Sequence, residues 1–180
     1  MSNKIKLHLG CGTKILAGFL NIDIRPLPGV DIVSSIDNLP MFADNSVDLI
    51  YCCHVLEHVP RADLPVILNE WRRVLKPGGT LRVAVPNFQA VVEHYKAHSD
   101  LPKLLGLLYG GQTYTENFHY NIWDFKTMKA VLEATGFDSV GHYDWRATEH
   151  ADVDDYSQAY LPHMDKENGI LMSLNVECQK

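Results

Sequence analysis

The sequence lacks the features that mark a membrane protein, a nucleic-acid-binding surface or a cysteine-based site. It has no uninterrupted apolar run of the roughly 18–20 residues that a bilayer-spanning helix needs. Its formal net charge is −6, and clustered Lys and Arg for a broad nucleic-acid surface are missing. It has only 4 cysteines and no Cys-x-x-Cys pair, so neither a zinc knuckle nor a redox motif is indicated.

What is present describes a single globular domain over residues 1–180. The hydrophobic content of 46% and charged content of 21% are those of a folded chain rather than a disordered one. The first residues lead into an apolar strand without an apolar signal region, so we expect a cytoplasmic protein. In such a reducing compartment the cysteines are expected to be buried free thiols.

Apolar runs and helical periodicity alternate along the chain. The predicted strands cover residues 4–9, 20–24, 30–33, 47–53, 80–85, 138–145 and 170–178, and the predicted helices cover 63–75, 87–98, 101–109 and a segment capped by Asp124. Only residues 13–19 separate the first two strands, which is too short for a crossover helix of about ten residues or more. The alternation predicts an α/β fold with a mostly parallel seven-stranded sheet flanked by helices and a shortened first crossover.

A glycine turn follows the first predicted strand, in the sequence Leu7-His8-Leu9-Gly10-Cys11-Gly12. Paired glycines at the end of a buried strand let a ligand lie against bare backbone at the carboxyl edge of the sheet. Asp23 stands at the end of the next apolar run, where a carboxylate can accept hydrogen bonds from a ribose diol. Together the two features predict a nucleoside-containing cofactor.

Several segments in order carry a family resemblance: residues 7–12, Asn21-Ile22-Asp23-Ile24, residues 39–50 from Leu39-Pro40 to Leu49-Ile50, His54-Val55-Leu56-Glu57-His58-Val59, and Leu75-Lys76-Pro77-Gly78-Gly79-Thr80-Leu81. Over essentially its whole length the chain resembles the class I S-adenosylmethionine-dependent methyltransferases. It looks most like the small, stand-alone bacterial-type members (methyltransferase type 11-like) often associated with cell-surface polysaccharide pathways. The resemblance implies a Rossmann-like fold and S-adenosyl-L-methionine as the cofactor.

The resemblance also implies which residues bind that cofactor. The predicted set is Gly10, Cys11, Gly12, Asp23, Ile24, Ser35, Ile36, Asp37 and Cys53. The glycines leave room for the methionine part, whose carboxylate can meet backbone N–H groups. Family members usually carry an Asp after the third strand for the adenine amine; Ser35 occupies that position here, and Asp37 follows two residues later.

Residues 54–58 (His-Val-Leu-Glu-His) allow three interpretations. As His-x-x-Glu-His they match an inverted zinc-peptidase motif, which requires a helix. They also resemble the metal-binding segments of small-RNA 3′-terminal 2′-O-methyltransferases and ubiquinone-pathway O-methyltransferases. That resemblance implies a divalent ion held by His54, Glu57, His58 and His119. In the third interpretation they form a turn that is common in this fold, with His54 lining the substrate cavity.

The expected reaction is transfer of a methyl group to a small-molecule or saccharide acceptor, most simply at a hydroxyl. A general base would then help, and His119 and His54 are the candidates. Tyr114, Tyr120 and Trp123 could stack on a flat acceptor, whereas the acidic stretch 149–155 is expected to be a solvated loop. The alternative function is a catalytically silent regulatory or partner protein that binds S-adenosylmethionine or S-adenosylhomocysteine.

Overall fold

The computed structural model describes residues 4–180. The strands are β1 (Lys6–Leu9), β2 (Leu20–Asp23), β3 (Ile32–Val33), β4 (Val47–Cys53), β5 (Leu75–Pro86), β6 (Asp138–His142), β7 (Tyr160–Leu161), β8 (Ile170–Leu171) and β9 (Ser173–Gln179). The helices are α1 (Leu64–Val74), α2 (Phe88–His98), α3 (Leu101–Tyr109) and α4 (Phe125–Ala134). Short 3₁₀ turns form at Leu56–His58, Trp145–Ala147 and Tyr156–Gln158. Within residues 4–180 no helix combines the length and apolar character needed to cross a bilayer.

A seven-stranded sheet organises the fold, in the order β3-β2-β1-β4-β5-β9-β6. The first five of these strands pair in parallel, and β9 pairs antiparallel with both β5 and β6. The predicted α/β class, the mostly parallel sheet and its seven strands are confirmed. The chain also forms a separate two-stranded sheet from β7 and β8, which the sequence pattern did not predict.

Parallel pairing brings the carboxyl ends of the central strands to one edge. β1 lies between β2 and β4, with Leu9 paired to both Ile22 and Cys52. The residues that follow these three strands therefore share one edge of the sheet, which is where α/β proteins bind ligands.

The first crossover contains turns but no helix, as the short spacing predicts. Leu16 and Phe19 from this segment pack instead in a small cluster with Tyr51 and Ala84. Val153, from the region between β6 and β7, packs against the same cluster. A late part of the chain thus covers the sheet face that a crossover helix would otherwise protect.

The main core lies between the sheet and α1, whose apolar positions recur at helical spacing. Its buried residues are Leu64, Ile67, Leu68, Trp71 and Val74. Trp71 is fully buried, and its indole N–H donates to the Ile36 carbonyl at 2.9 Å. This bond fixes the segment after β3 against the helix.

Some predicted boundaries are wrong, whereas the predicted cap forms: Asp124 caps α4 by accepting from the Thr127 N–H at 2.7 Å. Asp63, directly before α1, makes no side-chain capping bond. Residues 76–79, which the sequence leaves between the predicted helix 63–75 and the predicted strand 80–85, belong to β5, whose pairing with β4 shifts register between Val47 and Leu49. The predicted strand 138–145 ends at His142.

Candidate active site

Two cavities open side by side at the carboxyl edge of the sheet. The larger measures about 370 Å³ and the smaller about 280 Å³. They share Gly10, Arg25, His54 and Tyr114 as common wall. One extended ligand can therefore occupy both, with its middle lying over Gly10.

The glycine turn places bare backbone between the two cavities. Gly10 has a φ of +67°, and a Cβ on it would lie 2.3 Å from a methyl carbon of Val55. The N–H groups of Gly10 and Cys11 both donate to the Ile22 carbonyl, at 2.8 and 3.1 Å. Two features therefore require glycine at this position. The backbone is left-handed, and a Cβ would overlap the Val55 side chain.

Asp23 connects the end of β2 to the glycine turn. One carboxylate oxygen accepts from the Gly12 N–H at 2.7 Å, and the other accepts from the Arg25 N–H at 2.9 Å. The carboxylate is buried but lies in the wall of the larger cavity. Its charge is thus held in a fixed position facing the ligand space.

The structure places all of the predicted cofactor-binding residues at these cavities. Gly10, Asp23, Ile24, Ser35, Ile36 and Asp37 line the larger one. Gly10, Cys11, Gly12 and Cys53 line the smaller one. Ser35 and Asp37 both line the larger cavity. Although Ser35 replaces the Asp that family members usually carry at its position, the Asp37 carboxylate is therefore present in the same wall.

The larger cavity carries more negative than positive charge. Its carboxylates are Asp23, Asp37, Asp63 and Glu116. Arg25 is its cation: the guanidinium lies 3.3 Å from the Asp23 carboxylate and 4.6 Å from the centre of the Tyr114 ring. Such a wall favours a ligand that carries positive charge.

The smaller cavity is lined by residues that the sequence analysis missed. Asp155 and Tyr156 form part of its wall, so the prediction of a solvated acidic loop over 149–155 is wrong at this point. Asp155 is buried. Two hydrogen bonds satisfy its carboxylate there, from the Tyr51 hydroxyl at 2.6 Å and from the Ser157 N–H at 2.9 Å. Tyr51 lies more than a hundred positions away along the chain, so no local pattern could have indicated this pairing.

His54 stands at the junction of the two cavities. Its backbone is left-handed, with a φ of +53°, and its side chain is 10% exposed. Burial lowers its pKa from 6.5 to about 3, so the ring is neutral at physiological pH. Its Nε2 lies 3.3 Å from the Ser173 hydroxyl, which itself donates to Asn175 at 2.8 Å. The Ser173 oxygen therefore accepts from Nε2–H, which leaves the lone pair of the ring on Nδ1.

Three further side chains lie close together next to His54. A carboxylate oxygen of Glu57 and ring nitrogens of His58 and His119 lie within 4.8 Å of one another. Glu57 is fully buried, and among the described residues neither carboxylate oxygen has a hydrogen-bond donor. His54 Nδ1 lies 3.4 Å from Glu57 Oε1 without meeting hydrogen-bond geometry. Burial raises the pKa of Glu57 to about 8.

The other residues that the sequence proposed for the site lie in different parts of the structure. His119 belongs to the group with Glu57 and is not among the residues that line either cavity. Tyr114 lines both cavities, whereas Trp123 is buried in the main core and Tyr120 is exposed. Residues 56–58 form a 3₁₀ turn rather than an α-helix, so the helical context that an inverted zinc-peptidase motif requires is missing.

Part of the chain matches a known domain family. Residues 18–83 match the family model described as "Methyltransferase domain". A curated relative in Aspergillus luteorubrus, named a "probable methyltransferase", is 38% identical over 65 residues, which cover 35% of this chain and 21% of the relative. The chain therefore spans about a fifth of that relative's length.

Solved structures share the whole fold at low identity. A SAM-dependent methyltransferase of Methanosarcina mazei is 18% identical with a TM-score of 0.60, covering 100% of this chain and 94% of that one. A protein of Haloferax volcanii, solved in complex with the Trm112 methyltransferase activator, is 19% identical with a TM-score of 0.59, covering 99% and 83%. At these identities the comparisons establish a common fold.

Replacing Gly10 with Ala is expected to lower the free energy of unfolding by about 2–4 kcal/mol, because it adds left-handed strain and an overlap with Val55. Urea denaturation measures the change. The double variant Gly10→Ala/Val55→Ala should be destabilised by less than the sum of the two single changes, since the overlap is gone while the backbone strain remains. Simple additivity would contradict the contact.

His8 should make the protein sensitive to acid. It is buried, and burial lowers its pKa from 6.5 to about 4, so its neutral form stabilises the fold fully above pH 6.5. That contribution is lost as the pH falls from 6.5 towards 4. Over this range the wild type should lose about 2–3 kcal/mol more unfolding free energy than His8→Gln, measured by urea denaturation at each pH. The exposed His163→Gln should behave as wild type.

Proposed function

We propose that this chain is a class I S-adenosylmethionine-dependent methyltransferase that binds S-adenosylmethionine across both cavities; its sheet order and the domain match over residues 18–83 support the proposal. The adenosine would lie in the larger cavity and the methionine part in the smaller one. The observation that carries the proposal is the position of Asp23, held by the Gly12 N–H and facing the larger cavity. A carboxylate in this position can accept both hydroxyls of a ribose.

The charges of the site support a cationic nucleoside. The sulfonium of S-adenosylmethionine would lie over Gly10, beside the larger cavity with its several carboxylates and one guanidinium. In the smaller cavity the ammonium group would face Asp155, and the carboxylate of the methionine part would face Lys14 and Arg25. Gly10 and Gly12 line the ligand space with backbone and bring no side chain into it.

The proposed reaction transfers the methyl group to a hydroxyl of a small-molecule or saccharide acceptor. The cofactor brings an activated methyl group, whose bond to sulfur is exchanged for a bond to the acceptor oxygen. The protein mainly has to align the acceptor and remove water. His54 is the proposed acceptor of the hydroxyl proton, because its neutral ring lies between the two cavities. Tyr114, in the same shared wall, would pack against the acceptor or the cofactor.

A second candidate function rests on the hydrogen bonding of His54. Its Nε2 donates to Ser173, and its one free lone pair, on Nδ1, is directed at Glu57 at 3.4 Å. A protein that binds the cofactor but serves as a partner of another subunit would need no free base. Measured turnover on any hydroxyl acceptor would remove this candidate, whereas tight cofactor binding with no turnover on a broad acceptor panel would favour it.

Asp23→Asn tests the cofactor site. The neutral amide can still accept from the Gly12 N–H but loses the charge that the ribose hydroxyls would meet. We expect the dissociation constant for S-adenosylhomocysteine to rise about 10- to 100-fold by isothermal titration calorimetry, since a hydrogen bond to a charged group contributes about 1.5–3 kcal/mol. Asp138→Asn, an exposed carboxylate on the edge strand, is the matched control. Equal affinity in wild type and Asp23→Asn would contradict the proposed site.

His54→Asn tests the proton acceptor. Asparagine tolerates the left-handed backbone that His54 adopts, so the fold should be retained. We expect kcat for hydroxyl methylation to fall about 10²- to 10⁴-fold, because general-base assistance is lost. Affinity for S-adenosylhomocysteine should change by less than about threefold. His163→Asn should keep the wild-type rate, and an unchanged rate in His54→Asn would remove the assignment.

A further inference from the structure

Glu57, His58 and His119 bring one carboxylate and two imidazoles together in the described part of the chain. The three come from two segments: the 3₁₀ turn after β4 and the 110–123 segment between α3 and α4. Their nearest ligand atoms lie within 4.8 Å of one another, a separation that a single ion between them would bridge.

A backbone carbonyl holds each of the two imidazoles through Nδ1. His58 Nδ1 lies 3.2 Å from the Phe118 carbonyl, and His119 Nδ1 lies 3.1 Å from the Leu107 carbonyl. A carbonyl only accepts, so each Nδ1 carries its hydrogen and each Nε2 carries the lone pair. Backbone carbonyls hold metal-binding histidines in this way in many known sites.

The carboxylate supplies a second and independent observation. Glu57 has no exposed surface, and within residues 4–180 neither oxygen accepts a hydrogen bond. An unpartnered buried carboxyl group costs free energy that ordinary folding avoids. A cation at this position would satisfy it. His54 is not part of the group, because its ring nitrogens do not lie within 4.8 Å of all three of the other ligand atoms.

We infer that Glu57, His58 and His119 bind one divalent transition-metal ion, zinc first, and that the ion fastens the 110–123 segment to the cavity wall. One carboxylate and two imidazoles suit zinc, manganese or iron better than magnesium. His54, which the sequence resemblance added to this set, is not a ligand in this proposal. The three ligands leave coordination positions for water or an acceptor group.

The fastening role follows from what the segment carries. Backbone N–H groups of Tyr120 and Asn121 donate to the Glu57 carbonyl at 2.7 and 3.2 Å, so the segment already contacts the turn. Tyr114 and Glu116, from the same segment, line the larger cavity. An ion between His119 and Glu57 would hold these walls in place. Binding of the ion does not require the proposed function, but its effect on cofactor affinity rests on it.

The experiment uses the full chain after treatment with a chelator and dialysis. We expect Zn²⁺ to bind with 1:1 stoichiometry in calorimetry and Co²⁺ to give a visible absorption spectrum typical of a nitrogen–oxygen site. Glu57→Gln and His119→Ala should each weaken Zn²⁺ binding at least about tenfold, since even loss of a supporting partner costs 10- to 100-fold. His98→Ala is the control, because His94 and His98 form the other close histidine pair, with ring centres 4.5 Å apart.

Hydrogen exchange supplies the readout for fastening. In the wild type, Zn²⁺ should slow amide exchange across residues 110–123, and it should not do so in His119→Ala. Should Glu57→Gln fail to fold, the partly exposed His119→Ala still decides the question. Absence of Zn²⁺ binding, equal binding by His119→Ala, or loss of binding in His98→Ala would each overturn the metal site. Binding without slower exchange would overturn the fastening role.

A separate titration keeps this inference distinct from the proposed function. S-adenosylhomocysteine is titrated into metal-free and zinc-loaded protein. Binding of the nucleoside by a protein that takes no metal overturns the metal site alone. Zinc binding without nucleoside binding overturns the proposed function alone. Tighter nucleoside binding to the zinc-loaded protein supports both.

Discussion

Parallel pairing of β1 with β2 and β4 brings three strand ends to one edge, and the site is assembled from the residues that follow them. Gly10 directly follows β1 and Asp23 is the last residue of β2. His54 directly follows β4 and has a left-handed backbone. The hydrogen bond from Gly12 to Asp23 connects two of these ends directly. A slip of one residue in either pairing would move the side chains to the opposite face and separate the glycine turn from its carboxylate.

The part of the site that depends on strand ends could be predicted from the sequence. An apolar strand followed by Gly-x-Gly and an acid after the next strand are local signals, and the structure gathers Gly10 and Asp23 around one cavity. The contribution of Asp155 could not be predicted, because its burial depends on Tyr51, a distant residue on another element. Residues 76–79 also could not be assigned from the sequence. They contain two glycines, which usually end a helix or strand, yet they lie within β5, where the pairing with β4 shifts register.

The histidine segment shows how backbone conformation can divide a motif. Residues 54–58 contain two histidines and a glutamate at spacings that suit one face of a helix. The positive φ of His54 and the 3₁₀ turn at Leu56–His58 separate them instead. His54 and His58 both line the larger cavity, while Glu57 and His58 also join His119 from a different part of the chain. One short stretch thereby serves two neighbouring environments, a ligand cavity and a group of possible metal donors.

The walls of the smaller cavity come from opposite ends of the chain, with the glycine turn after β1 on one side and Asp155 and Tyr156 on the other. During translation the glycine turn is synthesised early, whereas Asp155 and Tyr156 are synthesised only after the six strands β1 to β6. A nascent chain therefore has no complete pocket for most of its translation. A small ligand that occupies this cavity can stabilise the finished protein, but it cannot act as a template for the earlier steps of folding.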